Sequence, residues 1–163
     1  MTAEKPLPAS AQKVQDALAA AGLDSRVQEL TIAARTSQQA ADALGIVVGR
    51  IAKSLVFRAS ASGRAVLVIA AGDRRVNEAT IAAHLREPIE RADPAFVREH
   101  AGFAIGGVPP LAHARPMVTF VDASLRRFDT VWAAGGTPHC VFPVRPEDLL
   151  RVSGGVELDV SES

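Results

Sequence analysis

The segment Ala65–Ala71 constrains the fold of this chain more than any other part of the sequence. It reads Ala-Val-Leu-Val-Ile-Ala-Ala, which is seven apolar residues without interruption. A strand with one face in water would alternate apolar and polar residues, so this run predicts a strand covered on both faces at the centre of a sheet. A second strand is predicted over 51–59, and the intervening loop 61–64, which contains Gly63, indicates a hairpin between the two.

The remaining signals predict a mixed α/β fold. Thr36 and Gln39 have the spacing of a capping box. Asn77 and the pair Asp93-Pro94 are typical helix starts. We count about six or seven strands and about five helices, and the two types do not alternate regularly along the chain. Irregular alternation favours a mixed sheet flanked by helices (α+β) over a doubly wound parallel sheet.

The length of 163 residues suits one domain. Residues 1–9 contain two prolines and little pattern, which predicts a flexible N-terminal arm. Residues 10–155 carry the predicted elements and form the domain. Residues 156–163 read Val-Glu-Leu-Asp-Val-Ser-Glu-Ser, and we expect them to be a polar C-terminal tail.

Composition bears on the class of partner and on the compartment. Lys plus Arg and Asp plus Glu each number 18, and a net charge of zero does not predict a DNA-binding surface. No run approaches the roughly 20 apolar residues that a membrane helix needs, and residues 1–10 lack the features of a secretory signal. A single cysteine, Cys140, excludes an internal disulfide, and we expect a cytoplasmic protein with no membrane partner.

Lys53 is the position that points most directly to a site. Alternate residues of a strand share a face, so Lys53 lies on the same side as Ile51 and Leu55 in the strand predicted over 51–59. An unpaired ammonium on an apolar face needs an anionic partner, a cavity or a shifted pKa. The alternative is that the side chain extends from the end of the strand to water.

The segment Gly106-Gly107-Val108-Pro109-Pro110 is the second candidate. Two glycines let the backbone approach a ligand closely, and the two prolines fix the backbone that follows and carry no N–H. Such a loop can hold its remaining amide groups outward, toward a carbonyl or a developing oxyanion. An ordinary tight turn is the alternative interpretation.

A third glycine-rich segment, 135–140, could form a pocket wall with Gly135 and Gly136. His139 could position a substrate or act as an acid or base, although a plain hairpin with an exposed histidine fits the pattern equally well. Cys140 opens an apolar strand, and we reject it as a nucleophile because buried thiols are usually inert. The histidines lack ligand spacing, and no phosphate-binding or dinucleotide motif is present, so neither a metal nor a cofactor is expected.

These motifs belong to an ordered set that covers roughly residues 10 to 155. Its members are 36–41 (TSQQAA), 51–56 (IAKSLV), 66–76 (VLVIAAGDRRV), 92–94 (ADP), 102–110 (GFAIGGVPP), 129–136 (DTVWAAGG) and 146–150 (PEDLL). No single motif is specific, but the ordered set resembles the YbaK/EbsC family, also called the prolyl-tRNA-synthetase-associated (aminoacyl-tRNA editing) domain.

The resemblance implies a barrel-like mixed sheet and an enzyme that hydrolyses the ester of a mischarged aminoacyl-tRNA. Family members act in trans or as a domain inserted in prolyl-tRNA synthetase. We expect a free-standing deacylase here, acting on tRNA-Pro that carries a small amino acid. Its partners would be the acceptor end of the aminoacyl-tRNA and, as a second candidate, prolyl-tRNA synthetase.

The resemblance also assigns residues. Lys53 matches the family's essential lysine, which would hold the phosphate or ribose of the terminal adenosine. Gly106 and Gly107 open the family's Gly-x-x-Pro-type loop, whose amides would stabilise negative charge on the ester carbonyl. The residues expected to bind the substrate are Thr36, Ser54, Val108, Pro109, Gly135, Gly136 and His139.

Two departures from the family pattern concern the amino-acid pocket. The cysteine-specific branch has a tyrosine in the first strand, near Leu30 here, and this chain contains no tyrosine. That branch also has a basic Gly-Lys/Arg-Arg-Gly turn where this chain has residues 137–140. We therefore expect alanine, serine or threonine rather than cysteine as the amino acid removed, with His139 as a specificity contact.

Two other functions stay open at this point. A non-catalytic module could use the same pocket to bind a nucleotide or an aminoacyl-adenosine, and the neutral charge and missing general base are compatible with it. A protein-interaction domain with an idle pocket would leave Lys53 facing bulk water and no cleft at 106–110.

Overall fold

The computed structural model describes residues 6–161, and the elements named here are those of that range. The five helices are α1 (Ala9–Ala20), α2 (Ser37–Leu44), α3 (Glu78–Leu85), α4 (Pro94–Ala101) and α5 (Pro146–Ser153). The eight strands are β1 (Gln28–Glu29), β2 (Ile51–Ala59), β3 (Ala65–Ala71), β4 (Ile89–Arg91), β5 (Val118–Asp122), β6 (Val131–Ala134), β7 (Cys140–Val144) and β8 (Val156–Leu158). None of the helices in this range is long and apolar enough to cross a membrane.

All eight strands belong to one mixed sheet. Its order is β1-β7-β6-β2-β3-β5-β8, and β4 pairs separately with β2. The pairs β2–β3, β2–β4, β6–β7 and β1–β7 are antiparallel, whereas β2–β6, β3–β5 and β5–β8 are parallel. The predicted mixed α/β architecture and the predicted hairpin between β2 and β3 are confirmed. The strand count is eight rather than six or seven.

The strand β3 is the centre of the molecule, as its apolar run predicts. All seven of its residues are buried. Leu67 and Ile69 pack in one core cluster with residues of α1, α4 and α5, and Val66 and Val68 pack in a second with Ile81 of α3. The two faces of β3 thus contribute to two different core clusters. Burial of each such side chain stabilises the fold by about 1.5–3 kcal/mol relative to exposure.

The predicted helix starts are confirmed by their capping hydrogen bonds. Thr36 Oγ1 accepts from the N–H of Gln39 at 3.1 Å, and Asp93 Oδ1 accepts from the N–H of Phe96 at 2.8 Å. Asn77 caps α3 in the same way. Each cap satisfies a backbone N–H that the first turn of a helix leaves unpaired, which contributes about 1 kcal/mol.

The two terminal segments differ from the arm and tail that the sequence suggested. Leu7 packs against the core and α1 already begins at Ala9; of the expected arm, residues 1–5 lie outside the described residues. At the other end, β8 pairs with β5, and Val160 is fully buried with its carbonyl accepting from the N–H of Asn77 at 2.7 Å. The polar composition of the tail was misleading because strand pairing uses the backbone, and one buried valine is enough to fix the segment.

On one side, the strand β2 is paired with β3 along most of its length, from Ala52 to Arg58. On the side away from β3 it pairs with β6 at Ile51 and Ala52, and with β4 over 57–59. On this side the stretch 53–55 lies between the two pairings and has no strand beside it. Because β6 and β4 leave β2 at this point, a cavity opens in the sheet there.

Candidate active site

A cavity of about 300 Å³ opens beside residues 53–55 of β2, which are paired on one side only, with β3. Its walls come from β2, the start of α2, the loop after α4, β6 and the turn that precedes β7. Of the predicted site residues, those that line it are Thr36, Lys53, Ser54, Gly106 and Val108. The structure therefore brings the strand that carries the lysine and the glycine loop to one place.

Lys53 occupies the edge of this cavity as a half-buried ammonium. Its Nζ donates a hydrogen bond to the carbonyl oxygen of Arg74 at 2.7 Å. Within residues 6–161 no carboxylate lies within ion-pair distance of this nitrogen. Since an ammonium carries three donors, two remain for a ligand in the cavity.

The surroundings of Lys53 disfavour its charge. Burial lowers the pKa of the ammonium, and the positive charge of Arg91 lowers it further. The negative charges of Asp73 and Asp122 act in the opposite direction and raise it by less. A group in this state gains free energy when an anion is placed beside it, because the attraction offsets the cost of burial.

The turn that carries Arg74 is held in place by two carboxylates. Asp73 accepts two hydrogen bonds from the guanidinium of Arg127, at 2.8 and 3.0 Å, and these bonds hold the pKa of Asp73 below its usual value. Asp122 is buried and accepts from the N–H of Ala71 at 3.0 Å. These bonds hold the backbone just before Arg74, whose carbonyl receives the ammonium of Lys53.

The loop between α4 and β5 reaches the cavity through Gly106 and Val108. The helix α4 ends at Gly102, and Phe103, which follows it, is buried in the core. Gly106 has a φ of +91°, in the left-handed region that favours glycine, and a Cβ there would lie 3.5 Å from Cγ of Pro138. Glycine is thus required at 106 for its backbone conformation, whereas the space beside it is adequate.

Gly107 ties the loop to the neighbouring turn and does not line the cavity. Its N–H donates to the carbonyl of Ala104 at 3.0 Å, and its carbonyl accepts from the N–H of Gly136 at 3.0 Å. A Cβ on Gly107 would lie 2.7 Å from Cα of Thr137. The expectation that the Gly107 amide faces a substrate carbonyl is corrected, because that amide is already bonded inside the loop.

Three residues of the loop line the cavity and have an N–H that makes no hydrogen bond within the described part of the chain: Ile105, Gly106 and Val108. Two of these, Gly106 and Val108, belong to the glycine-proline segment. Pro109, which was expected to bind the substrate, is buried and does not line it. The glycine-proline segment therefore has two unpaired N–H groups on residues that line the cavity.

Gly135 and Gly136 support the cavity wall rather than form it. The N–H of Gly135 donates to the carbonyl of Cys140 at 2.7 Å and closes the turn. A Cβ on Gly136, whose φ is +105°, would lie 2.6 Å from the carbonyl oxygen of Ser10. These glycines let the turn pack against the start of α1, and the cavity itself is lined by residues on either side of them.

His139 was predicted as a specificity contact, and the structure does not place it there. Its side chain is exposed and outside the cavity lining. Its N–H donates to Oγ1 of Thr137 at 3.1 Å, and its carbonyl accepts from the N–H of Leu30 at 2.6 Å. With the backbone held in this way, Pro138 and Cys140 are the residues of the turn that line the cavity.

Cys140 lines the cavity as a buried thiol. Burial raises its pKa, so the thiol stays protonated near neutral pH, which agrees with its rejection as a nucleophile. No group of three His, Cys, Asp or Glu side chains within residues 6–161 could hold a metal ion. The described lining also contains no carboxylate and no histidine.

Two hydroxyl residues lie at the cavity in different states. Thr36 Oγ1 is engaged in capping α2. Ser54 Oγ is buried and has no hydrogen-bond partner among the described residues. A buried hydroxyl without a partner costs about 1–3 kcal/mol, so Ser54 is an unsatisfied polar group in the wall of the cavity.

Several lining residues were not predicted from the sequence. The most informative are Arg35, Ile105 and Trp132. Arg35 is exposed at the start of α2 and makes no ion pair within residues 6–161, and Ile105 is 55% exposed although it is a large apolar side chain. The sequence could have indicated Arg35 because it precedes the predicted cap Thr36, and Ile105 because it precedes the predicted glycine loop. Nothing in the sequence distinguishes Trp132 from a core residue.

Comparisons with known proteins agree with this site. The model of the aminoacyl-tRNA editing domain matches residues 31–152, and this chain belongs to that family. The resemblance to the YbaK/EbsC family is thereby confirmed. The matched range includes the cavity residues from Arg35 to Val141.

Individual relatives extend the comparison. The chain is 32% identical over 130 residues to the protein YwhH of Bacillus subtilis (strain 168), described as uncharacterized, with 80% of this chain and 82% of that protein covered. A crystal structure described as "a putative trans-editing enzyme for prolyl tRNA synthetase" is 40% identical with a TM-score of 0.91, over 97% of this chain and all of that chain. The hypothetical protein APE2540 is 32% identical with a TM-score of 0.85, over 92% and 99% of the two chains.

Proposed function

We propose that this protein is a trans-acting aminoacyl-tRNA deacylase that removes a small amino acid from mischarged tRNA, with tRNA-Pro as the tRNA. The observation that carries the proposal is that one cavity is lined by Lys53 and by Gly106 and Val108, whose N–H groups make no hydrogen bond within the described part of the chain. Membership of the editing-domain family and likeness to a structure described as a trans-editing enzyme for prolyl tRNA synthetase support it.

The proposed chemistry needs positioning more than a strong base, because an aminoacyl ester is activated. The carbonyl oxygen of the ester accepts hydrogen bonds from the amides of Gly106 and Val108, which strengthen as the oxygen becomes negative. Lys53 binds the phosphate or ribose of the terminal adenosine with its two remaining donors. Water attacks the ester carbon, helped by the 2′-hydroxyl of the substrate, and the ribose oxygen leaves with a proton.

The size of the amino acid follows from the cavity walls. Apart from Lys53, Arg35 and three hydroxyl residues, the described lining is apolar, and its small members are Ala34, Ala40, Ala52, Ala133 and Ala134. A volume of about 300 Å³ lies at the lower limit of small-molecule pockets. A side chain such as that of alanine, serine or threonine suits these dimensions.

The test is a deacylation panel. The protein is incubated with tRNA-Pro charged separately with alanine, serine, threonine, cysteine and proline, and loss of the ester is followed. We expect turnover of at least one small amino acid, little turnover of proline, and a loss of activity in Lys53→Ala. Lys13→Ala is the matched control, since Lys13 lies over the ring of Phe103, outside the cavity lining. Absence of turnover on every substrate would contradict the proposal.

A non-catalytic module that binds a nucleotide or aminoacyl-adenosine is the second candidate. It is favoured by one observation, the lack of any carboxylate or histidine in the described cavity lining. Calorimetric titration with a non-hydrolysable aminoacyl-adenosine analogue separates the two functions when combined with the panel. Tight binding without turnover of any aminoacyl-tRNA supports the module, whereas turnover excludes it.

A further inference from the structure

His113 lies just beyond the glycine loop and contacts it at Pro109. Its Nε2 is 2.7 Å from the carbonyl oxygen of Pro109. A carbonyl oxygen can only accept, so Nε2 carries the proton and donates the bond. His113 does not line the cavity; it lines a separate surface depression with Pro110 and Ala112.

The hydrogen bond to the Pro109 carbonyl holds the C-terminal part of the loop. Pro109 and Pro110 have no N–H, so this part of the loop has no backbone donor of its own. The other ties of the loop described above both fall on Gly107. Val108 is therefore held between two anchors, Gly107 before it and the bond from His113 after it. The Val108 N–H shares one rigid peptide plane with the Gly107 carbonyl, so the bond from Gly136 sets its direction, and loss of the second anchor leaves Val108 held on its N-terminal side only.

His113 is itself held in place by the chain around it. Ala112 has a φ of +68°, a left-handed conformation that costs an alanine about 1–2 kcal/mol. The two residues after His113 are bonded to the end of α4, with the N–H of Ala114 donating to Ala101 at 3.0 Å and that of Arg115 to His100 at 2.9 Å. A conformation this unfavourable persists only where the surrounding contacts over-determine it, and such positions occur mostly at functional sites.

The protonation state of His113 suits a permanent donor. Burial lowers the pKa of its imidazole, and the bond to Pro109 raises it by less. The ring is therefore neutral near neutral pH, and the neutral form carries its one proton on the nitrogen that faces the loop.

We propose that His113 is a positioning residue that fixes the place of Val108 in the cavity wall, and with it the oxyanion-binding edge of the cavity, by donating a hydrogen bond to the carbonyl of Pro109. The effect on turnover rests on the proposed deacylase function. The effect on the loop does not, because the bond and the amide can be observed without a substrate.

The experiment compares two substitutions. His113→Gln keeps an N–H donor at the end of a side chain of similar reach, and His113→Leu removes it. For the leucine variant we expect kcat to fall by about 10-fold to 100-fold with KM changed by less than about twofold, as for a misplaced catalytic contact. We expect the glutamine variant to recover most of the loss. His84→Leu, on α3, is the control.

A second readout does not depend on activity. Nitrogen-15 NMR of the wild type should show the proton of His113 on Nε2, and hydrogen exchange of the Val108 amide should be faster in His113→Leu than in His113→Gln. A proton on Nδ1, equal exchange in all three proteins, or a glutamine variant as impaired as the leucine variant would overturn the proposal. If the wild type deacylates none of the substrates, the deacylase function fails, and exchange still decides the role of His113.

Discussion

The Nζ of Lys53 lies 2.7 Å from the carbonyl oxygen of Arg74, at the edge of a cavity whose described walls contain no carboxylate. The ammonium thus has a neutral partner in the free protein, and its ionic partner is left for a ligand to supply. A charge kept partly buried without a counter-ion is a cost to the fold that only binding recovers.

This relationship predicts a trade of stability against function at Lys53. Lys53→Met keeps the length of the side chain and removes the buried charge. We expect turnover to be lost while the free energy of unfolding, measured by denaturant titration, is unchanged or higher. The gain from removing the charge is opposed by loss of the bond to Arg74. A large drop in stability would show that the lysine serves the fold.

The pH dependence of the same pair of proteins has a defined sign. Burial lowers the pKa of Lys53 in the folded state below the value of 10.5 that it has when unfolded. Between the two values the unfolded chain binds the extra proton, so the wild type gains stability as pH rises through this window. As pH rises toward 10.5, we expect the free energy of unfolding of the wild type to increase relative to that of Lys53→Met. Over the same range we expect the turnover of the wild type to fall, because the ammonium is lost.

Ser54 and Ser124 provide a matched pair of orphan hydroxyls. Both oxygens are buried without a partner among the described residues, but only Ser54 lines the cavity. We expect each serine-to-alanine substitution to raise the free energy of unfolding by about 1 kcal/mol, because an unsatisfied group is removed. Only Ser54→Ala should lower kcat/KM. Equal activity of the two variants would remove Ser54 from the site.

Gly106 and Gly22 form a second matched pair, for backbone strain. Both have positive φ, +91° and +80°, and a Cβ at Gly22 would meet nothing within 4 Å. We expect Gly106→Ala and Gly22→Ala to lose comparable stability, about 1–2 kcal/mol, from the left-handed conformation. Thermal unfolding measures this loss, and deacylation kinetics should show a defect in Gly106→Ala alone. A similar defect in Gly22→Ala would attribute it to stability.

Arg35 is expected to attract the phosphate backbone of the acceptor end. It lines the cavity and has no ion-pair partner within residues 6–161. Arg35→Gln should raise KM for aminoacyl-tRNA. It should also reduce the slope of a plot of log KM against log salt concentration by about 1, because one phosphate contact is lost. Arg98→Gln, on the exposed side of α4, is the control, and an equal effect there would indicate only a general change of charge.

The fold was predictable to the extent that its determinants are local. The unbroken apolar run of β3 fixed the centre of the sheet, and the caps at Thr36, Asn77 and Asp93 fixed three helix starts. The strand β8 was missed because its pairing with β5 depends on the backbone, and three residues carry too little pattern to show it.

The site was predictable in its position and less so in its details. Lys53 and the glycine loop were identified because a charge on an apolar face and a glycine-proline run are unusual in sequence. Which amides of the loop stay unpaired could not be assigned, since the bond from Gly107 to Ala104 is a property of the folded loop. His139 was overvalued and His113 overlooked, because a sequence shows which residues could act and not which way a turn directs them.

The location of the cavity in a break between strands has a consequence for how such proteins diversify. A pocket hollowed out of a packed interior loses stability with each atom removed from its wall. Here the empty space lies where β6 and β4 both move away from β2, so the hydrogen-bonded backbone around it is already in place. Side chains facing this interval, such as Ala133 and Val108, can be enlarged or trimmed to admit a different amino acid with little penalty to the scaffold.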